Sequence, residues 1–175
     1  MQVLSPDTPF SLAQGRWRLD PERSSVEFRV PNFYGLQTVQ GRFGSYDGTL
    51  DLGAHPAAQL TIDAASLDTG NARRDKHLRS AAFFDAERHP YVRFTAGSAA
   101  VDGDSLKLRG QLRAAGKQIP LELDAAVRVV DGELEIEAVT SADQRELGMT
   151  FSPLGTVRAP STLIVRARLI PDGPQ

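Results

Sequence analysis

Cysteine is absent from the 175 residues, which excludes disulfides, thiol catalysis and any metal site built on thiolates. Aromatic residues make up only 7 % of the chain, too few for the stacking platform that single-stranded nucleic acid requires beside its basic residues. Charge is close to balanced, with 20 Lys and Arg against 22 Asp and Glu, so the net charge gives no field that would recruit nucleic acid or an anionic membrane. Nowhere do about twenty apolar residues run together, so no helical bilayer span is expected. The start, MQVLSPDTPFSLAQG, has no basic n-region and no apolar run of signal-peptide length, and Pro6 and Pro9 interrupt it. A cytoplasmic protein is therefore expected. Also missing are a Gly-x-Ser-x-Gly elbow and a phosphate-cradling glycine loop.

What the chain does have is alternation. VEFRV sets Val26, Phe28 and Val30 on one face with Glu27 and Arg29 on the other, as in a half-buried strand. The same period returns in LTIDA, VRFT, LKLRGQL, IPLELD, VRVV, LEIEA and LIVRARL. Arg16, Arg18, Arg29 and Arg42 alternate with apolar neighbours and are assigned to the solvated outer face. Asp47-Gly48, Asp102-Gly103 and Asp131-Gly132 carry the turn chemistry of tight hairpins, which makes neighbouring strands antiparallel. Eight or more such strands must hide their apolar faces in two stacked sheets or in one closed sheet; alternation alone leaves both open. One domain over residues 15–171 is expected, with a flexible segment at 1–14 and a tail at 172–175.

One stretch departs from the strand pattern. Between 68 and 90, Asp68, Thr69 and Asn71 offer caps, and good helix formers follow; a short helix over about 71–79 is predicted. Asp75 and Arg79, four apart, would support it. A second turn covers AAFFDAERHP, and Pro90 hands the chain to the next strand. His77 and His89, with Asp75 and Asp85, are the residue types that bind zinc or iron. Their spacing is wrong for one helix face, since the two histidines lie twelve positions apart. His55 falls in a loop. No metal, cofactor or catalytic group is expected, the alternatives being a metal-dependent enzyme centred on His77 and His89 or a structural, partner-binding β domain.

In order along the chain, WRLDPERSSVEFRV, TVQGRFGSYDGTLDL, LTIDAASLDTGNARRDKHLRSAAFFDAERHPYVRF, LRGQLRAAGKQIPLELDAAV and LGMTFSPLGTVRAPSTLIVRARL resemble the YceI-like family of lipocalin-type isoprenoid- and lipid-binding proteins. The longest shared element is Arg74, Asp75, His77 and Leu78 followed by Phe83, Phe84, Asp85 and Pro90. The resemblance implies a mainly β protein: one antiparallel β-barrel of about eight strands with a short helical insertion. It also implies an interior that holds a polyisoprenoid, isoprenoid quinone or fatty-acid-type chain, often as a homodimer, without catalysis. Where relatives place a polar residue after FRV, this chain has Pro31-Asn32 and then Phe33-Tyr34-Gly35.

A barrel of eight strands is about the smallest that can hold a small ligand instead of only its own side chains. Alternation puts Phe28, Val30, Phe43, Phe94 and Leu121 on the inner wall. Phe33 belongs with the mouth, as do Met149, Phe151 and Leu154, apolar residues in a stretch whose Pro153, Gly155 and Pro160 forbid a regular central strand. Leu78, Phe83 and Phe84 are expected to anchor the helical segment as a lid. Arg73, Arg74, Lys76 and Arg79 would face water at its rim and be available to an anionic head group.

Overall fold

The computed structural model describes residues 15–32, 37–143, 146–149 and 161–172; Phe33, Tyr34, Gly35, Phe151, Pro153, Leu154, Gly155 and Pro160 lie outside them, as does the 1–14 segment. The strands are β1 (Arg16–Leu19), β2 (Ser25–Asn32), β3 (Gln37–Phe43), β4 (Tyr46–Asp51), β5 (Ala57–Asp63) and β6 (Leu67–Asp68). The helix α1 (Ala72–Arg79) follows, then β7 (Tyr91–Asp102), β8 (Ser105–Ala114), β9 (Lys117–Val130), β10 (Glu133–Ala142) and β11 (Ser161–Pro171).

These segments form eight staves. β1 and β2 both run against β11, with Leu19 opposite Leu169 and Phe28 opposite Leu163, so together they make one stave that closes the sheet. β4 joins β1 to β5, and β3 joins β2 to β6, giving two more broken staves. β7 to β11 continue as an antiparallel meander. The result is a closed, eight-stranded antiparallel barrel with α1 inserted between the third and fourth staves. Closure removes the unpaired edges that an open sheet of this length would expose.

The three breaks lie side by side and satisfy one another's backbone groups, as buried polar groups must. Asp20 caps a 3-10 turn at Pro21–Arg23, and Pro21, lacking an N–H, has no ladder bond to lose. The Tyr46 hydroxyl donates to Ser24 O at 2.6 Å, Gly44 N to Ser66 O at 3.0 Å and Asp63 N to Ser45 O at 2.9 Å. A second 3-10 turn, Ala64–Ser66, is capped by Asp63. Alternation indicates one helical interruption; these two further single turns bend staves without ending the inward–outward pattern.

Two of the three Asp-Gly pairs act in hairpin turns. Asp131 (φ 53°) and Gly132 (φ 75°) both take the positive φ that a tight two-residue hairpin needs. Gly103, at φ 60°, turns β7 into β8. Asp47-Gly48 is the exception: it lies inside β4, paired with Thr61 and Leu60 of β5. There the long β5 partner supplies a ladder through the dipeptide, and the expected turn does not form. Ala115-Gly116, at φ 51° and 78°, makes the β8–β9 turn without an aspartate to signal it.

Inward residues fill the far end of the barrel, away from α1, with Trp17, Leu19, Leu50, Leu106, Leu134 and Leu169. The end beneath α1 is less tightly filled.

Candidate functional site

The predicted helix forms as α1, one residue shorter than expected at its start because Asn71 is its cap, accepting from Arg74 N at 3.1 Å. Its only buried apolar side chain is Leu78. After α1 the chain folds back on itself: Phe83 N and Asp85 N donate to Ser80 O, Phe84 N to Leu78 O and Ala86 N to Arg79 O, all at 2.8–3.0 Å. Asp85 takes a left-handed φ of 48°. These turns drive Phe83 and Phe84 down into the barrel mouth, where both are buried.

Phe84 is the centre of an aromatic cluster. Its ring centroid lies 5.0 Å from Phe83, 5.7 Å from Phe43 and 6.2 Å from Phe28, each pair edge-to-face, while Phe28 and Phe43 lie 5.1 Å apart. This is the favourable range for aromatic pairs. Gly41 makes room for it, since a Cβ there would stand 2.4 Å from the Phe28 ring.

Below the cluster is an apolar cavity of about 50 Å³. Its wall is Phe28 and Val30 of β2, Phe43 of β3, Ile62 of β5, Val92 of β7, and Leu112 and Ala114 of β8. Ala142, Leu147 and Met149 complete it with Ser161 and Leu163 of β11, and Ser161 is the one polar residue among them. The structure thus brings Phe28, Val30, Phe43, Phe83, Phe84 and Met149 together around one space. Phe94 and Leu121 are buried one step deeper and do not reach it. Phe33 and Phe151 fall outside the described residues. Ile62, Leu112, Ala142, Leu147 and Leu163 join the wall without being singled out by sequence, although most of them continue the same inward alternation.

The four cations of α1 divide into two pairs. Arg73 and Lys76 are exposed. Arg74 and Arg79 are half-buried and hold the segment before the helix instead of facing water. Arg74 donates to Thr69 Oγ1 and Thr69 O, both at 2.8 Å; Arg79 donates to Ala65 O and Leu67 O, both at 3.0 Å. Asp75 does not pair with Arg79. It is buried and accepts from the Thr69 backbone N–H and hydroxyl, because Thr69 brings two donors to it and Arg79 is drawn to the Ala65 and Leu67 carbonyls. Replacing Arg79 with Ala should therefore cost about 1–2 kcal/mol by stranding two acceptors, whereas Arg73→Ala and Lys76→Ala should stay within about 0.5 kcal/mol; urea unfolding midpoints check this.

His77 and His89 do not form a centre with Asp75 and Asp85. Among the described residues no group of three or more His, Cys, Asp and Glu is placed to hold a metal ion. The His89 ring lies over Gly116, 2.7 Å from where a Cβ would stand, with Asp85 Oδ2 at 4.0 Å.

A larger cleft, about 590 Å³, lies on the outer face of β9, β10 and β11. Most of its charges are matched: Arg23 with Glu133, Arg128 and Arg168 with Glu135, and Arg166 with Glu137. Hydrogen bonds from Arg23 and Arg128 hold the Glu133 and Glu135 carboxyls below the usual range. Size alone would favour this cleft, but a self-neutralised outer face is a poor receptor, and the inner apolar cavity is the better candidate.

Among the described residues no helix is long and apolar enough to cross a membrane. The model of the YceI-like domain matches residues 17–168. Protein YceI of Escherichia coli O157:H7 is 37 % identical over 115 residues, 62 % of this chain and 60 % of that protein. UPF0312 protein ECA1782 of Pectobacterium atrosepticum is 35 % identical over 117 residues, 65 % of this chain and 60 % of its own. The chain thus spans about 60 % of the length of these curated relatives. Among solved structures, Burkholderia cenocepacia BcnA superposes with a TM-score of 0.77 at 18 % identity, covering 86 % of this chain and 98 % of that one. A polyisoprenoid-binding domain from Saccharophagus degradans gives 0.74 at 15 % identity, with 89 % and 98 % covered. The Campylobacter jejuni YCEI protein gives 0.68 at 26 % identity, with 76 % and 85 % covered.

Proposed function

The chain belongs to the YceI-like family, and from that membership we propose that it binds one long apolar chain, a polyisoprenoid, isoprenoid quinone or fatty-acid-type lipid, inside the barrel and carries or sequesters it without chemical change. The observation that carries this reading is the cavity beneath Phe83 and Phe84, walled among the described residues by apolar side chains with Ser161 the one polar exception. Such a wall offers little to orient or activate a reacting group and much to an alkyl or prenyl chain, at about 25 cal/mol per Å² of apolar surface removed from water. Likeness to the polyisoprenoid-binding domain of Saccharophagus degradans supports the same ligand class. Pairing of two copies belongs to this reading and rests on the sequence resemblance; the cytoplasmic location is proposed separately, on the composition of residues 1–15.

At about 50 Å³ the cavity is well below the roughly 300 Å³ of ordinary ligand pockets. A tail requires this space to widen, and Phe84, packed against Phe28 and Phe43, is the side chain whose movement would widen it. At about 0.3 kcal/mol per heavy atom, each ten carbons taken in contribute roughly 3 kcal/mol, so tight binding of a long chain requires inner side chains besides Phe84 to give way. Organic extraction of gently purified protein followed by mass spectrometry is expected to release a long-chain lipid at about one per chain. Protein that yields no lipid and neither binds nor exchanges an apolar fluorophore would overturn the proposal.

A further inference from the structure

The near-neutral total charge hides an uneven placement of the exposed cations. At the far end, the connections 51–56, 102–105 and 130–133 contain five Asp and Glu and no Lys or Arg; Asp51 and Glu133 are met by Arg16, Arg23 and Arg168, which leaves Asp102, Asp104 and Asp131. At the lid end, residues 72–93 hold six Lys and Arg against three Asp and Glu, and the β8–β9 connection, 113–118, adds Arg113 and Lys117 with no acid. Asp143 and Glu146 of the β10–β11 connection and Asp63 and Asp68 of the segment before α1 are further acids near this end, with Asp63 opposite Tyr91 in the strand register; the lid end is thus nearly balanced in total, and its cations gather on the side formed by β7, β8 and the start of β9. Arg73, Lys76, Arg88, Arg93, Arg113 and Lys117 are all exposed.

A second observation concerns how two of these cations are placed. Arg93 of β7 and Arg113 of β8 stand directly opposite each other in the strand register, both on the outer face. Like charges so placed weaken a sheet, so the arrangement costs the fold stability. Beside them Tyr91 is 52 % exposed, with the Arg93 guanidinium 5.4 Å above its ring. An exposed tyrosine beside two facing arginines, at the same end as an apolar mouth, matches an interface that is anionic at its surface and apolar just beneath.

We propose that the lid end, through Tyr91, Arg93, Arg113, Lys117, Arg88 and Lys76, docks on an anionic phospholipid bilayer, so that the barrel opens against the surface from which its ligand comes. The inference rests on the carrier reading but is tested separately from it. Each Lys or Arg near such a surface contributes about fivefold in partitioning, and the attraction is screened by salt.

The test is sedimentation of the full chain with vesicles of phosphatidylcholine alone or with about 30 % phosphatidylglycerol, at about 50 mM and 500 mM salt, a range over which the screening length falls severalfold. Binding to the anionic vesicles only, lost at high salt, is expected. Arg93→Glu should weaken it about 25-fold, since two charge units change. The same variant should unfold at a higher temperature than the parent, because the introduced carboxylate faces Arg113 as an ion pair; weaker docking with a stronger fold cannot be ascribed to misfolding. Asp131→Asn at the far end should leave vesicle binding unchanged. Equal binding to both vesicles, no binding to either, binding to anionic vesicles that Arg93→Glu does not alter, or retention only on heparin or DNA would overturn the proposal. Lipid extracted from the same preparations separates the two ideas: a variant that keeps its lipid while losing vesicles supports docking, and a parent that docks but holds no lipid refutes the carrier reading alone.

Discussion

Phe84→Ala is expected to lower the unfolding free energy by about 3–4 kcal/mol and to speed release of any bound lipid. The ring is 8 % exposed and removing a buried phenylalanine costs about 3–5 kcal/mol in transfer and cavity terms. Phe84 belongs at the lower part of that range because the space it leaves adjoins an existing cavity. The substitution also ends three edge-to-face contacts, with Phe28, Phe43 and Phe83. For a chain of this size the thermal midpoint should fall by roughly 6–16 °C. Lipid release is the sharper readout, because the ring is the part of the lid that stands between cavity and outside. Phe84→Leu should recover much of the stability and only part of the retention. Equal release rates from parent and Phe84→Ala would mean that the ligand leaves by another route.

The second large effect belongs to a residue without a side chain. A Cβ on Gly110 would stand 2.0 Å from Thr95 O and 2.6 Å from Ala96 Cα, and both are backbone atoms that no rotamer change can move. The β7–β8 register shifts between Ala96 and Ser98, leaving Gly97 as the extra residue of a bulge. That bulge tips β7 towards β8, and Gly110 accepts the approach. Gly110→Ala should therefore cost about 3 kcal/mol or more, at or above the upper end of ordinary overpacking, with a matching drop in the urea midpoint. Gly97→Ala, whose Cβ would meet nothing within 4 Å, should be nearly neutral. The two variants differ from the parent by one methyl each, so a similar loss from both would refute the bulge explanation.

Alternation makes the strands and their inward faces legible because burial of one face is a period-two property that each strand carries by itself. Phe28, Val30 and Phe43 can be assigned to the cavity wall on that ground. Phe94 and Leu121 have the same pattern, yet they sit one step deeper, and depth along the axis depends on register and stagger between strands, which no single strand encodes. Asp47-Gly48 misleads for a related reason: turn chemistry permits a turn, but the β5 ladder outweighs it. The helix is visible through its Asn71 cap. The roles of Arg74, Arg79 and Asp75 are not, since their partners Thr69, Ala65 and Leu67 are chosen by the fold-back of the preceding segment and not by helical spacing. The grouping of Arg93, Arg113 and Lys117 on one side of the lid end emerges only once the topology has set β7, β8 and β9 side by side, which a net charge of −2 conceals.

The central claim is that an apolar chain lies inside the barrel beneath the lid. Isotope-filtered NMR on methyl-labelled protein loaded with its extracted lipid tests it most directly. The account predicts contacts between lipid chain protons and the methyl groups of Val30, Leu112, Ala114, Met149 and Leu163, with none to Leu134 at the filled far end or to the exposed Val139 on the outer face. Contacts to Val139, or to none of the cavity methyls, would contradict it.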